Sequence, residues 1–279
     1  MMFTTNPFAE LSASISPSIM QAYIIIMIVL VVGGTLFDVV HKGSAKYFFA
    51  NMRKSKDKAK RQVSGGEAMG LAVSTAMSEV LTSSEFCNQK RRVAHLLGMY
   101  GFIVYAVATF VMVMYHPTEA NGGIWAQLWW IGALMVCVGG YWFWLFIRVD
   151  IRSEGRSLFP LVRADLFILS LLASCTLGLL WAWAQAAGSP GTNILLGAYL
   201  IATTVLFGGV PWSKFSHMFF KPAAAYEKRL SKANGSNNNL PELADRTNPA
   251  DRDRHSMELL KDAPMDMGLG IKREAPHHY

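Results

Sequence analysis

The chain has 279 residues, of which 52% are hydrophobic and only 16% charged, and its mean hydropathy is +0.26. A soluble domain of this length carries nearer a quarter charged residues, so composition excludes that class and indicates an integral membrane protein. The formal charge of +7 does not require nucleic acid, because basic residues beside hydrophobic spans are what cytoplasmic loops and anionic headgroups call for.

All 26 Lys and Arg fall in Lys42–Arg92, Arg148–Arg163 and Lys214–Arg273, and long apolar runs fill the gaps. Residues 1–17 hold Glu10 but no Lys or Arg. They lack the basic n-region of a cleavable signal peptide, so the first span is expected to be retained. Crossing ~30 Å of hydrocarbon takes about 20 helical residues. Five segments qualify: Ser18–Val40, Val93–Tyr115, Ile124–Ile147, Leu166–Ala187 and Thr192–Trp212. The expected fold is an all-α integral membrane protein, a five-helix transmembrane bundle. The loops around Pro117–Gly123 and Gly188–Gly191 carry no Lys or Arg. The positive-inside rule therefore puts them and the N-terminus outside and the C-terminus in the cytoplasm, across a cytoplasmic (inner) membrane. Trp125, Trp129, Trp130, Trp181 and Trp183 then lie near the outer interface and Trp142, Trp144 and Trp212 near the inner one, where aromatic belts or plain packing put them.

The loop 41–92 combines a basic run, Arg53–Arg61, with an amphipathic stretch, Glu67–Leu81, in which Leu71, Ser74, Met77 and Leu81 recur at helical spacing. This predicts one cytoplasmic helix lying on the membrane or against a partner. Residues 213–279 form a cytoplasmic tail that is rich in Asn, Asp, Pro and Arg from Ala233 onward, a composition that predicts disorder. No internal repeat is visible, and the spans offer hydroxyls (Tyr105, Tyr199, Ser170, Ser174, Thr203, Thr204) rather than charges near their middles. Both features weigh against a secondary transporter.

Cys87, Cys137 and Cys175 are far apart with no CxxC pair, and an iron–sulfur cluster needs about four thiolates. An electron carrier in this chain therefore needs other ligands. Of seven histidines, His255, His277 and His278 lie in the tail and His116 at the outer face. His41, His95 and His217 fall at the cytoplasmic face. A b-type haem between helices needs two imidazoles from different helices at one depth, and small residues where the porphyrin meets backbone. His95 and His217 satisfy this if the fifth helix continues a turn or two past Pro211, kinked there. Gly98 and Gly101 follow the first histidine, and Gly208 and Gly209 precede the second. Spacing alone carries this weakly, since interfacial histidines and glycines are common in membrane helices.

Local sequence adds more. Pro211-Trp-Ser-Lys-Phe-Ser-His217-Met-Phe-Phe-Lys-Pro222, running on to Tyr226, resembles the end of the last helix of the cytochrome b (gamma) subunit of respiratory nitrate reductase. His95-Leu-Leu-Gly-Met-Tyr-Gly-Phe-Ile-Val-Tyr105 resembles the second helix of that family. With Glu79-Val-Leu-Thr-Ser-Ser-Glu-Phe-Cys-Asn before it, it is also similar to the membrane subunit of the quinone-interacting oxidoreductase complex of sulfur metabolism. The likeness covers all five helices in order, its specific motifs about forty residues.

The resemblance implies that His95 and His217 ligate the iron of a haem b proximal to the cytoplasm. The family's second ligand pair falls on Tyr105 and Tyr199, so the distal haem is not implied. Where the sulfur-metabolism relative tends to have a histidine, this chain has Ser83 and Ser84, and its N-terminal iron–sulfur domain has no counterpart. These departures point toward the membrane anchor of dissimilatory adenylylsulfate reductase. The function implied is electron transfer between cytoplasmic flavin/iron–sulfur oxidoreductase subunits and membrane quinone as substrate. Quinone reduction consumes two protons, which makes Asp38, with neighbouring His41, a candidate proton donor; capping of the helix at the headgroups explains the same pair. Tyr105 and Tyr199 complete the candidate quinone or proton site, or else fill the space where a second macrocycle would have been. Asp165 beside Arg163 reads as an interfacial ion pair. The alternative function is a haem-free membrane anchor that only recruits the soluble enzyme.

Overall fold

The structure, a computed structural model, describes residues 2–41, 43–84, 86, 88–147, 165–213, 217–240 and 247–250. Among these the chain is helical and forms no strand beyond one isolated bridge, Thr5 to Asn121. A 3₁₀ turn, Met2–Thr4, and a short helix α1 (Pro7–Leu11) precede α2 (Pro17–His41), α3 (Ser44–Asp57) and α4 (Gly65–Thr75). A π-helical turn, Ala76–Leu81, extends α4. There follow α5 (Gln89–Met114), α6 (Gly123–Trp142) with a π-helical extension to Ile147, α7 (Leu166–Ala186), α8 (Thr192–Gly208) and α9 (His217–Ala233). The segment Arg148–Arg163, with Arg163 itself, lies outside the described residues, as do Cys87, His255, His277 and His278.

Four helices, α2, α5, α6 with its extension, and α7, are long and apolar enough to cross a bilayer, making this a multi-pass membrane protein. The fifth expected span stops short. α8 has 17 residues and ends at Gly208, with Val210–Trp212 following as a 3₁₀ turn. The expected kinked continuation past Pro211 is therefore replaced by a break and a new helix starting at His217. Two glycines, whose free backbone disfavours helix, and then a proline with no N–H to give end the helix here.

Helix pairing in an apolar solvent relies on close backbone approach rather than on expelling water. α5 and α6 pair this way: a Cβ on Gly101 would lie 2.8 Å from the Gly132 carbonyl oxygen, and one on Gly139 would lie 2.7 Å from that of Ala94. α7 and α8 form a second hairpin, and α6 and α7 join the two. α2 lies along α8 and α5 and closes against the 3₁₀ turn, where a Cβ on Gly34 would meet Val210 and Pro211 at 3.1 Å. It is the least embedded of the four, with 17% of its apolar stretch buried against 33 to 44% in the others.

The two ends of the bundle differ. At the end carrying the α5–α6 and α7–α8 turns, the N-terminal segment folds over the helices as a plug. Asn6, wholly buried, donates through Nδ2 to the His116 carbonyl (2.8 Å) and accepts at Oδ1 from Phe8 N, capping α1 ahead of Pro7. Gln185 Nε2 donates to the Pro7 carbonyl at 2.8 Å. Phe8 then sits against Trp129 and Trp181, with ring centroids 6.0 and 5.5 Å away.

At the opposite, basic end, α3, α4 and α9 assemble a polar module. Buried Ser55, Ser231 and Asn234 bond with Ser236 and Asn238, and Arg229 reaches Ser74, Ser78 and Glu79 at 2.8, 2.5 and 3.0 Å. The disorder that composition suggests from Ala233 onward does not hold for residues 234–240. Their Asn and Ser side chains find buried partners on α3 and α9, which a count of polar residues does not anticipate. Residues 251–279 lie outside the described part.

Candidate functional site

His95 lies in the second turn of α5, after the cap in which Asn88 Oδ1 accepts from Lys90 N and Arg91 N. Its ring is exposed and tilts on Phe86, centroids 5.0 Å apart. Lys221 Nζ stands 5.4 Å from the centre of that same Phe86 ring. Lys221 is one turn past His217 in α9, so the starts of α5 and α9 converge on Phe86. His217 opens α9, and its side chain is outside the described part. Phe86 was not singled out in the sequence; its place among Glu85, Cys87 and Asn88 gives no periodic signal.

The glycines around this level divide. Gly101 and Gly209 are occupied by packing, the first by α6 and the second by Leu166, 3.1 Å from where its Cβ would be. Gly98, one turn from His95, faces open space, and Gly208 meets only Leu30 at 3.9 Å. An exposed imidazole beside a glycine with open space fits a flat macrocycle lying on α5. Among the described residues no group of three or more His, Cys, Asp or Glu gathers.

Asp38 and His41, one turn apart, have different surroundings. Asp38 is 2% exposed, one turn beyond Gly34 where α2 meets the 3₁₀ turn. His41 is exposed and stacks on Phe37, centroids 5.2 Å apart and planes 8° apart. His116, at the other end of the bundle, pairs with Glu119 at 2.9 Å.

Tyr105 and Tyr199 meet. Their hydroxyls are 2.7 Å apart in the buried centre of the bundle, although 94 positions separate them. Gly178 on α7 makes the room: a Cβ there would lie 3.1 Å from Tyr105 Oη and 3.2 Å from Tyr199 Cε2. Trp129 covers Tyr105 (5.4 Å) and Trp181 stacks on Tyr199 (5.8 Å, 15°). Beside them Thr203 Oγ1 donates to the Tyr199 carbonyl and is 2.8 Å from Ser174 Oγ. The buried indole N–H groups of Trp129 and Trp181 have no hydrogen-bond partner among the described residues. An apolar cavity of about 400 Å³ opens beside the tyrosine pair, between α2, α5 and α8. The plug, Phe86 and Lys221, and this cavity are what sequence reasoning missed. The plug left a signal, an Asn-Pro pair in cap and first helical positions, and Phe86 and Lys221 lie within the two motifs that carry the resemblance.

No family model, curated protein or solved structure matches this chain.

Proposed function

We propose that this chain is the membrane anchor and electron-transfer subunit that links a cytoplasmic flavin and iron–sulfur oxidoreductase to the quinone pool through one b-type haem. In this reading the partner acts in sulfur metabolism and resembles adenylylsulfate reductase, and the chain belongs with the cytochrome b subunits of nitrate reductase and of the quinone-interacting complex. It crosses the cytoplasmic membrane five times, with α8 as the shortest crossing. At 1.5 Å per residue α8 reaches about 26 Å, and the 3₁₀ turn extends it toward the far headgroups. The N-terminus and the two uncharged turns face outward, while the polar module and the basic loops face the cytoplasm.

One observation carries the proposal. The register that makes His95 and His217 a ligand pair also makes Tyr105 and Tyr199 opposite numbers, and these two side chains touch at 2.7 Å. The packing supports the pairing of α5 with α8 that the resemblance implies at the level of the tyrosines; His217 stands on the separate helix α9. His95 and His217 would hold the haem, Gly98 would leave room for its face, and Phe86 and Lys221 would line the approach from the basic end. A bound haem supplies one-electron transfer. Asp38, buried where α2 meets the 3₁₀ turn, and His41 beside it are placed to hold or release protons at the cytoplasmic face.

The haem-free anchor is the second reading, favoured by the hydrogen-bonded module of α3, α4 and α9, which offers a soluble partner a basic surface with or without haem. A reduced-minus-oxidised visible spectrum of the purified chain decides between them. A b-type band that His95→Ala or His217→Ala abolishes and His116→Ala spares is expected. Absence of the band leaves the anchor, and its loss on removing His116 overturns the ligand pair.

A further inference from the structure

We propose that α4 and its π-helical turn lie in the bilayer interface at the basic end of the bundle, with Met69, Val73, Met77 and Leu81 among acyl chains and Lys90 and Arg91 against anionic phospholipid headgroups. This placement does not depend on the electron-transfer reading.

The apolar stripe is the starting point. Residues 68–78 carry no charge, and Met69, Val73, Met77 and Leu81 are 66, 55, 55 and 44% exposed. In an α-helix a spacing of four runs ahead of the turn by about 40° a step, so four such positions would spiral away from one face. The last step falls in the π-helical turn Ala76–Leu81. Its i→i+5 bonds take more residues to a turn, which winds Leu81 back into line with the other three.

The other side of the same helix is engaged. Thr75 is buried, and Arg229 of α9 holds Ser74, Ser78 and Glu79. The polar module thus takes one face of α4, and among the described residues the apolar face stays uncovered.

Depth selects what covers it. The end of a helix leaves carbonyls with no partner in its own ladder, and α5 supplies two of the donors here. Tyr100 Oη donates to the Leu81 carbonyl at 2.7 Å, and Arg92 Nε to that of Thr82 at 2.6 Å. Tyr100 stands seven positions past Val93, where the apolar run of α5 begins, about 10 Å along the helix. Helical side chains lean toward the N-terminus, so its hydroxyl returns to within about one turn of that boundary. Arginine and tyrosine on either side of the boundary are the residues whose polar tips reach headgroup level while their stems stay in apolar surroundings. Leu81 is therefore pinned where a spanning helix enters the bilayer, and the exposed stripe that ends there meets lipid.

Charge selects the lipid. Lys90 and Arg91 are exposed in the first turn of α5, beside the point where α4 is pinned. Glu79, the acid on the π-helical turn, is drawn to Arg229 on the opposite face. Each basic residue at headgroup level favours an anionic lipid about fivefold. An apolar helix face beside basic residues is the composition of a helix that lies in an anionic interface.

The test uses the full chain carrying the photoreactive residue p-benzoylphenylalanine at Val73 or Met77, in nanodiscs of equal parts zwitterionic and anionic phospholipid. Illumination should give phospholipid adducts, read by intact mass, from both positions. The same group at exposed Lys232, on α9 behind the polar face of α4, should give at least about fivefold fewer. Adducts at Met77 should be enriched in the anionic lipid about fivefold or more over the bilayer composition, and the Lys90→Gln, Arg91→Gln double variant should return them to that composition. Met69 takes the place of Met77 if that variant does not fold. Absence of phospholipid adducts from the stripe, an equal yield at Lys232, or adducts with another protein when the same variants are illuminated in the membranes that express them overturns the placement. An anionic share that the double variant leaves unchanged overturns the headgroup assignment. No readout involves haem or quinone, so a failure here and a failure of the electron-transfer reading are told apart.

Discussion

The same two strands of the resemblance, read at two depths, give two unlike places. Near the basic end, His95 is exposed and leans on Phe86, whose ring the lysine of a separate helix also approaches. Ten residues on, about 15 Å along α5, Tyr105 is sealed among Trp129, Trp181 and Tyr199 with a buried hydroxyl contact. The first place is open at the basic end, and the second is closed inside the bundle. The difference lies in what closes each end: a loose junction of helix starts on one side, a plug pinned by Asn6 and Gln185 on the other.

This contrast can be broken by mutation. The largest effect is all or none: His95→Ala removes the b-type band, whereas Tyr199→Phe leaves it, and a band lost in both would merge the two levels into one site. Next, Trp181→Ala deletes a side chain with no exposed surface that bridges Phe8 and Tyr199. It should cost about 3–5 kcal/mol, read as a drop in thermal midpoint in detergent. Tyr105→Phe alone should cost about 1–3 kcal/mol, because it orphans the Tyr199 hydroxyl, while the double Phe variant should recover most of that loss. A double variant no better than the single would remove the pair's coupling.

Smaller effects belong to the basic end. Ser55→Ala strips partners from Asn234 and Ser236 and should cost about 1–2 kcal/mol, seen as faster hydrogen exchange in α9. Truncation after Leu240 should leave that exchange unchanged, whereas truncation after Ala233 should raise it. The smallest effect is a pH dependence. Burial without a hydrogen bond at Oε1 raises the Glu227 carboxyl above its ordinary value. The folded state then holds a proton that the unfolded chain has released, so stability falls as pH rises from the ordinary value of 4.5 toward the raised one. Glu227→Gln should flatten that slope and leave the Arg61–Glu67 pair to act oppositely: Arg61 lowers Glu67, whose contribution is lost as pH falls.

The sequence carried the spans because twenty apolar residues are a length, and length is local. It carried the meeting of Tyr105 and Tyr199 only through a register borrowed from a resemblance; no periodicity links residues on α5 and α8. It could not carry the plug, since Asn6 and Gln185 find their partners only when both hairpins exist. The end of α8 was misjudged for a simpler reason. An apolar run continues through Trp212, but hydropathy does not register that Gly208, Gly209 and Pro211 have stopped the hydrogen-bond ladder. The glycines near His95 misled in the same way, because Gly101 serves α6 and only Gly98 remains open.

The knot between Ser55 and Ser236 joins positions 181 residues apart. During synthesis the first basic segment emerges long before its partners, with every later crossing still to be inserted. Its polar groups must stay with water until the last helix has left the ribosome, so the module can close only on a chain whose crossings are complete. A soluble enzyme that binds the closed module would thereby be recruited to finished anchors and not to half-inserted ones.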